Sequence, residues 1–416
     1  MNRIGPAGVA VGGILLAVCA IAPRACEAAM KEYVETRECM GTFVTIRLFA
    51  EGEETANGGL ERAFKEIEQV NAVMSTHIEE SELSRLNREA DGTLRKVSPE
   101  LFHVIERAFA MSELTEGAFD VTVRPSLELW REAAKRGAPP SAEEIAEALT
   151  FVGYGKVKLA SEEHAVALPT GMSIDLGGIA KGYAVDLASE ALRKAGITSF
   201  LINAGGDLFA EGLRADGRPW RIYIQDPWSE KEVKTLRRIV LVGRSAATSG
   251  HYYRFTEIAG HRYSHIVDPR TGMPVEGVAA SATAIGLNAL ETDALATALC
   301  VLGGKKAEEV VERVNGEEGS QAAAAFIITG SREKHTFTAT RTFAQYEARE
   351  SPRRGLVLFG LAGLLVHTVF VVRRRRSNAE CGMRSAELGR RKGIGEVVWM
   401  VAPYVVFGAL VVLGMW

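Results

Sequence analysis

Met172-Ser173-Ile174-Asp175-Leu176-Gly177-Gly178-Ile179-Ala180-Lys181-Gly182-Tyr183 is the stretch on which the fold class turns. Its alternation reads as a strand that ends at Asp175. Two glycines follow, and a helix opens with Lys181 in its first turn. Glycine lets a backbone come close to a ligand, and a helix start offers free N–H groups to an anion. An ordinary strand-to-helix turn would carry the same pattern. The spacing is neither GxGxxG nor a Walker loop, so no doubly wound nucleotide-binding fold follows from it.

Downstream, residues 183–195 continue as a helix with Ala184, Leu187, Ala188, Ala191 and Leu192 inward. Phe200 to Ile202 reads as a strand, and Asn203-Ala204-Gly205-Gly206-Asp207 as a second glycine turn bounded by polar residues. Strands are expected at Arg221–Ile224, Val240–Val242 and Ala280–Ile285, with Ala246-Ala247-Thr248-Ser249-Gly250 between the last two. Ala322–Ile328 and Thr336–Thr340 make a closing hairpin. Upstream, Thr42 to Leu48 alternates like a strand. Leu60, Phe64, Ile67, Val70 and Met74 recur at helical spacing within 56–75. A short helix starts at Ser81, and Ser98-Pro99-Glu100 opens one that runs to about Thr115. Helices follow at Ser126–Arg136 and Ser141–Leu149, and a hairpin at Lys156–Leu159 and Ala165–Leu168.

Two further stretches carry chemistry. Tyr263-Ser264-His265-Ile266-Val267-Asp268-Pro269-Arg270-Thr271-Gly272-Met273-Pro274 puts His265 where a strand opens into a loop, and Pro269 drives Asp268 out of helical space. Taken alone, this is also the pattern of a surface hairpin with a histidine. Leu290 to Leu302 is an apolar helix in which Asp293 and Thr297, four apart, share one face. They suit either a hard cation held by carboxylate and hydroxyl oxygens, or, for Asp293, a first-turn cap.

The ends of the chain differ from its body. Arg3, the apolar run from Val9 to Ala22 and the small residues around Ala28 form a secretory signal, here 1–29. Leu16-Ala17-Val18-Cys19 approaches a lipoprotein box, with Val18 a poor fit. Residues 346–354 form a linker. The apolar runs 355–372 and 397–416 are of membrane-spanning length, and the basic segment 373–396 between them belongs in the cytoplasm by the positive-inside rule. The body, 30–345, then lies on the periplasmic side of an inner membrane. His367, in the first run, reads as a polar residue facing the other helix. The net charge is −3, and no basic surplus over the body argues for nucleic acid. Five scattered cysteines without CxxC spacing exclude zinc, iron–sulfur and c-haem signatures. A Cys39–Cys300 disulfide is chemically allowed outside the cell.

Together and in order, these pieces resemble the ApbE family of FAD:protein FMN transferases. The likeness rests on Met40-Gly41-Thr42, Met74-Ser75-Thr76-His77 with Ser81 to Asn87, Gly117-Ala118-Phe119-Asp120-Val121-Thr122, and Ile174 to Tyr183. It continues through Asn203 to Asp207, Thr248-Ser249-Gly250, Ser264 to Gly272 and Thr292 to Thr297. Each motif is weak alone; eight in order are specific. The resemblance implies an α+β fold: a single body of mixed, mainly antiparallel strands with packed helices, to which the C-terminal transmembrane helices are added. It implies Mg²⁺-dependent transfer of FMN from FAD to a threonine or serine hydroxyl of a target flavoprotein, releasing AMP. By position, Met40, His77, Ala118, Phe119, Asp120, Asp175, Lys181 and Ile266 would line the flavin site. Gly178, Asp293 and Thr297 would hold the metal, and His265 would act in the transfer step. His77 departs from the family, which often has tyrosine or tryptophan there. A Mg²⁺-dependent FAD pyrophosphatase and a non-enzymatic FAD-binding protein of the envelope are the alternatives.

Overall fold

The structure is a computed structural model, and it describes residues 30–229, 234–250, 255–276, 278–316 and 323–348. The signal-like start, the two apolar runs and the basic segment between them lie outside these residues, as does most of the linker.

The chain begins with a hairpin, β1 (Lys31–Cys39) and β2 (Thr42–Ala50). Its two turn residues, Met40 and Gly41, both have left-handed φ (52° and 67°), the geometry that matches strand twist in a two-residue hairpin. Three helices follow: α1 (Glu53–Met74), α2 (Glu82–Arg88) capped by Ser81, and, after the short β3 (Leu94–Lys96), α3 (Pro99–Leu114) capped by Ser98. A 3-10 turn at Val121–Val123 leads into α4 (Arg124–Arg136), and Ser141 with Glu144 forms a full capping box on α5 (Ala142–Thr150). Strands β4 (Lys158–Ala160) and β5 (Ala165–Ala167) pair with each other, and β3 joins β5.

Residues 172–176 correct an expectation. They alternate between buried and half-buried but belong to no strand. The amide and carbonyl of Ile174 bond the Asn87 side chain (2.8 and 2.9 Å), and the Asp175 amide donates to the Val121 carbonyl (2.8 Å). A side chain and a turn meet the backbone's hydrogen-bonding demand, where a neighbouring strand was expected. The helix α6 (Ala180–Lys194) then opens with Lys181 in its first turn, as expected.

Next come β6 (Phe200–Ala204), β7 (Asp207–Glu211), β8 (Trp220–Gln225), β9 (Thr235–Leu241), β10 (Arg244–Gly250), β11 (Phe255–Ile258), β12 (His261–Ser264) and β13 (Ser281–Gly286). Two helices, α7 (Ala289–Leu302) and α8 (Gly304–Gly316), precede the closing hairpin of β14 (Ala324–Gly330) and β15 (His335–Ala339). Eight strands form one sheet in the order β1-β2-β6-β7-β10-β13-β14-β15. Every registered strand pair among the described residues is antiparallel.

The period of two along each strand divides this sheet into two faces. Val44, Ile46 and Leu48 of β2, Phe200 and Ile202 of β6 and Ala325 and Ile327 of β14 pack with the helices α1, α6, α7 and α8. Phe49, Phe326 and Ile328 point the other way, onto Trp220, Ile224, Ile239 and Leu241 of the β8–β9 hairpin. Cys39 and Cys300 are both free, so the allowed disulfide is not formed. Cys300 lies buried in α7, where its thiol donates to the Ser249 carbonyl (3.0 Å) and burial pushes its pKa up to about 12.

Candidate active site

Helix α7 is the element from which the site is built. Asn288 caps it by accepting the Glu291 N–H (2.8 Å), so Asp293 is not the cap. Asp293 turns instead toward α6. Its Oδ2 accepts from the Gly182 amide (3.2 Å) and meets Lys181 Nζ at 3.3 Å. The same ammonium sits 2.6 Å from Asp207 Oδ2, at the start of β7. The side chains of Asp293 and Asp207 are only 3% and 5% exposed, and that of Lys181 is 24% exposed. One half-buried cation thus faces two buried carboxylates. Burial pulls the Lys181 pKa down, but the two carboxylates outweigh it and hold it above the usual lysine value. Burial, then the charge of Asp293, pushes the Asp207 carboxyl up to about 7 against the pull of Lys181.

Asp207 was not among the expected site residues, although the polar-bounded glycine turn beside it was the available signal. Gly205 and Gly206 make a two-residue hairpin with φ of 66° and 105°, which delivers Asp207 to Lys181. A Cβ on Gly205 would lie 2.4 Å from Thr42 Oγ1. The turn carrying Met40 and the turn before Asp207 are therefore in direct contact. Met40 itself has φ of 52°, a left-handed conformation that an unbranched side chain adopts only at some cost.

One turn along α7, Thr297 completes the all-oxygen corner. A Cβ on Gly178 would sit 3.2 Å from Thr297 Oγ1 and 3.3 Å from the Phe119 ring, so only glycine lets the backbone come this close without displacing either. Ser249 Oγ lies 3.3 Å from Thr297 Oγ1. Among the described residues no three His, Cys, Asp or Glu side chains gather as a metal cluster. The Asp293 carboxylate and the Thr297 hydroxyl, one turn apart on α7 beside Gly178, form a different set, and oxygen donors of this kind suit a hard divalent cation.

The remaining expected residues surround this corner. Asp175 Oδ1 accepts the Gly177 amide (2.8 Å), and its Oδ2 is 3.9 Å from Arg124 Nη1. That Nη1 is buried and makes no hydrogen bond within the structure. Asp120 is buried and fully used: it accepts from the Thr122 amide and hydroxyl (2.8 and 2.7 Å) and from the Tyr154 amide (2.9 Å). Its observed work is to cap the 3-10 turn at Val121–Val123, just after Ala118 and Phe119, and to tie it to Tyr154. His77 is exposed in the turn after α1.

His265 is exposed at the end of β12, and Ile266 beside it is buried. The loop that follows is clamped from several sides. Asp268 accepts from Arg270 Nε and Nη2 (2.9 and 2.8 Å), Trp130 Nε1 donates to the Gly272 carbonyl (2.8 Å), and Gly272 lies against Ile145. Arg270 in turn lies against Gly117, two residues before Phe119. The expected Asp268–Arg270 contact is present. The structure joins Phe119, Gly178, Lys181, Asp293 and Thr297 in one centre, while Met40, His77, His265 and Ile266 come from other segments.

The fold and site define an antiparallel α+β protein with an oxygen-lined corner between a glycine turn and a buried helix. The sequence profile of the ApbE family matches residues 40–322, and the chain belongs to that family. An FAD:protein FMN transferase of Haemophilus influenzae is 33% identical over 315 residues, spanning 73% of this chain and 90% of the relative. One of Treponema pallidum is 31% identical, over 71% and 86%. Among solved structures, the flavin transferase ApbE of Vibrio cholerae has a TM-score of 0.66 at 28% identity, covering 76% of this chain and 99% of that one. The ApbE protein of Thermotoga maritima has a TM-score of 0.68 at 32% identity, covering 77% and 100%.

Proposed function

We infer that this chain is an FAD:protein FMN transferase, which moves FMN from FAD to a hydroxyl of a target flavoprotein and releases AMP. The observation that carries this reading is the meeting of Gly178 and Thr297, with Asp293 one turn away, inside a family fold matched over most of its length.

In this proposal Gly178, Asp293 and Thr297 hold Mg²⁺, which supplies positive charge against the pyrophosphate when bound. Met40, His77, Ala118, Phe119, Asp120, Asp175, Lys181 and Ile266 line the flavin site. Phe119, packed against Gly178, offers an aromatic surface beside the oxygen corner. His265 takes the proton from an acceptor threonine or serine hydroxyl. The hydroxyl oxygen bonds to the FMN phosphorus, the P–O bond to AMP breaks, and AMP leaves with the electron pair. Lys181, held by two carboxylates, keeps those carboxylates from repelling the phosphates.

We also propose that runs 355–372 and 397–416 hold the enzyme in an inner membrane with its body on the periplasmic side. The signal-like start and the basic segment 373–396 support this independently.

One assay tests the function. The protein is incubated with FAD, Mg²⁺ and a protein bearing an acceptor threonine. Covalent FMN on the acceptor is expected. Free FMN and AMP without labelling would make it a pyrophosphatase, and intact bound FAD would make it a binding protein. In the same assay Asp293→Ala is expected to abolish the response to added Mg²⁺; a normal Mg²⁺ response would remove Asp293 from the metal site. A chain cut before Gly355 is expected to stay active in solution, and loss of activity there would refute a purely tethering role for the two runs.

A further inference from the structure

We propose that Asp186 is a positioning residue for the metal centre: from α6 it fixes the height and rotation of α7, and thereby holds Asp293 and Thr297 against Gly178. The inference rests on the metal reading of that site and adds a residue outside it.

The first N–H groups of an α-helix have no partner within the helix. In α7 the Glu291 amide goes to the local cap Asn288. The Ala289 and Leu290 amides go elsewhere, to Asp186 Oδ1 (2.8 Å) and Oδ2 (2.9 Å), one to each oxygen. Asp186 is about a hundred positions away in the chain. The carboxylate therefore joins two helices, and it does so at the positive end of the α7 dipole.

One turn earlier on α6, Gly182 meets the same turn of α7. A Cβ there would lie 2.1 Å from the Ala289 carbonyl oxygen and 2.8 Å from Leu290 Cα. Gly182 and Asp186 are four apart, so they form one face of α6. Gly182 sets how closely the helices approach, and Asp186 sets which residues of α7 stand opposite. Asp293 and Thr297 follow Ala289 at one-turn steps on that same face of α7, while Gly178 and Lys181 flank the start of α6. An α-helix turns by about 100° and rises about 1.5 Å per residue, so a one-residue slip of α7 would carry both oxygen donors away from Gly178.

Capping alone does not require this arrangement. Water could satisfy the Ala289 and Leu290 amides without tying α7 to the helix that follows Gly178. With Asp186 in place, the α7 N-terminus is also closed to a phosphate.

Asp186→Asn and Asp186→Ala separate positioning from bulk stability. The asparagine keeps the shape but offers one acceptor oxygen and sets its NH₂ against the second amide. The alanine removes both acceptors. Mn²⁺ binding to the purified full chain, without FAD, is followed by electron paramagnetic resonance, alongside the thermal midpoint and the Mg²⁺ dependence of FMN transfer. The expected result is a rise in the Mn²⁺ Kd of about 10- to 100-fold, the range found when groups that orient metal ligands are removed. The half-saturating Mg²⁺ rises in parallel, with the rate at saturating Mg²⁺ within about twofold of wild type. Should the alanine variant fail to fold, the asparagine variant decides alone. A lowered thermal midpoint with an unchanged Mn²⁺ Kd would overturn the proposal. Wild-type protein that binds no Mn²⁺ would remove the metal reading and this proposal with it.

Discussion

Two charged clusters in this protein are held together by opposite means. Lys181 meets Asp293 across 112 positions of chain, and both carboxylates at that centre are almost wholly buried. Asp268 meets Arg270 two positions away, and the arginine is more than a third exposed. The first cluster exists because α6, α7 and the start of β7 pack together, with the two helices close at Gly182; the second is formed within its own turn. In the buried cluster the charges depend on the fold. In the exposed one a local contact stiffens the loop that carries His265.

The largest effect expected from the comparison is chemical and belongs to the exposed loop. His265→Ala should lower FMN transfer by about 10²- to 10⁴-fold, the usual contribution of a positioned general base, while FAD binding persists. Covalent FMN fluorescence on the acceptor and equilibrium FAD titration measure the two. Full transfer by the variant would show that the loop is scaffold only.

The buried cluster should dominate stability. Lys181→Ala leaves two buried carboxylates facing each other, and stranding a buried charge in this way costs about 3–5 kcal/mol. Urea unfolding of the metal-free protein reads this directly, and added Mg²⁺ should restore part of it. A loss below about 1 kcal/mol would put the cluster in the same class as a surface pair. Gly182→Ala comes next, at about 1–3 kcal/mol in the same measurement. Its new methyl meets backbone atoms of α7, which cannot swing aside, and this outweighs the roughly 1 kcal/mol that alanine gains over glycine in helix propensity. A neutral or stabilising outcome would mean that α6 and α7 have room to separate.

The contrast also explains what was legible in the sequence. Local signals read well. The apolar run placed α7 within a residue of its true bounds, Ser98-Pro99 opened α3, and Asp268-Pro269-Arg270 gave the turn and its ion pair. Strand β1 was not expected because its half-buried positions are Tyr33, Glu35, Arg37 and Cys39, a stripe too polar to read as alternation. Helix α8 is also an addition to the expected elements, although Ala307, Val310, Val311 and Val314 follow helical spacing. The 172–176 segment alternates like a strand because extended backbone alternates whether or not a neighbour pairs with it. At the site, family motifs named Asp293, Thr297 and Gly178. Asp207 reaches the centre from another element with only the glycine turn beside it as a signal, and Asp186 reaches the first turn of α7 from α6, a contact that no local pattern marks.

The smallest prediction probes the exposed cluster itself. Asp268→Ala, Arg270→Ala and the double variant form a cycle whose coupling energy should be about 0.2–1 kcal/mol, the range of solvent-exposed ion pairs. The carboxylate also accepts the Arg270 backbone amide at 2.9 Å, a bond that Arg270→Ala keeps and Asp268→Ala loses. The aspartate variant should therefore be the more damaging of the two singles. Because the pair stiffens the turn after His265, Asp268→Ala should also lower the transfer rate more than it lowers stability. Trp130 and Ile145 hold Gly272 independently of the ion pair, which limits how far the loop can relax. If the two singles were equal and the coupling near zero, the Trp130 and Ile145 contacts alone would fix His265, and the local ion pair would be incidental to the site.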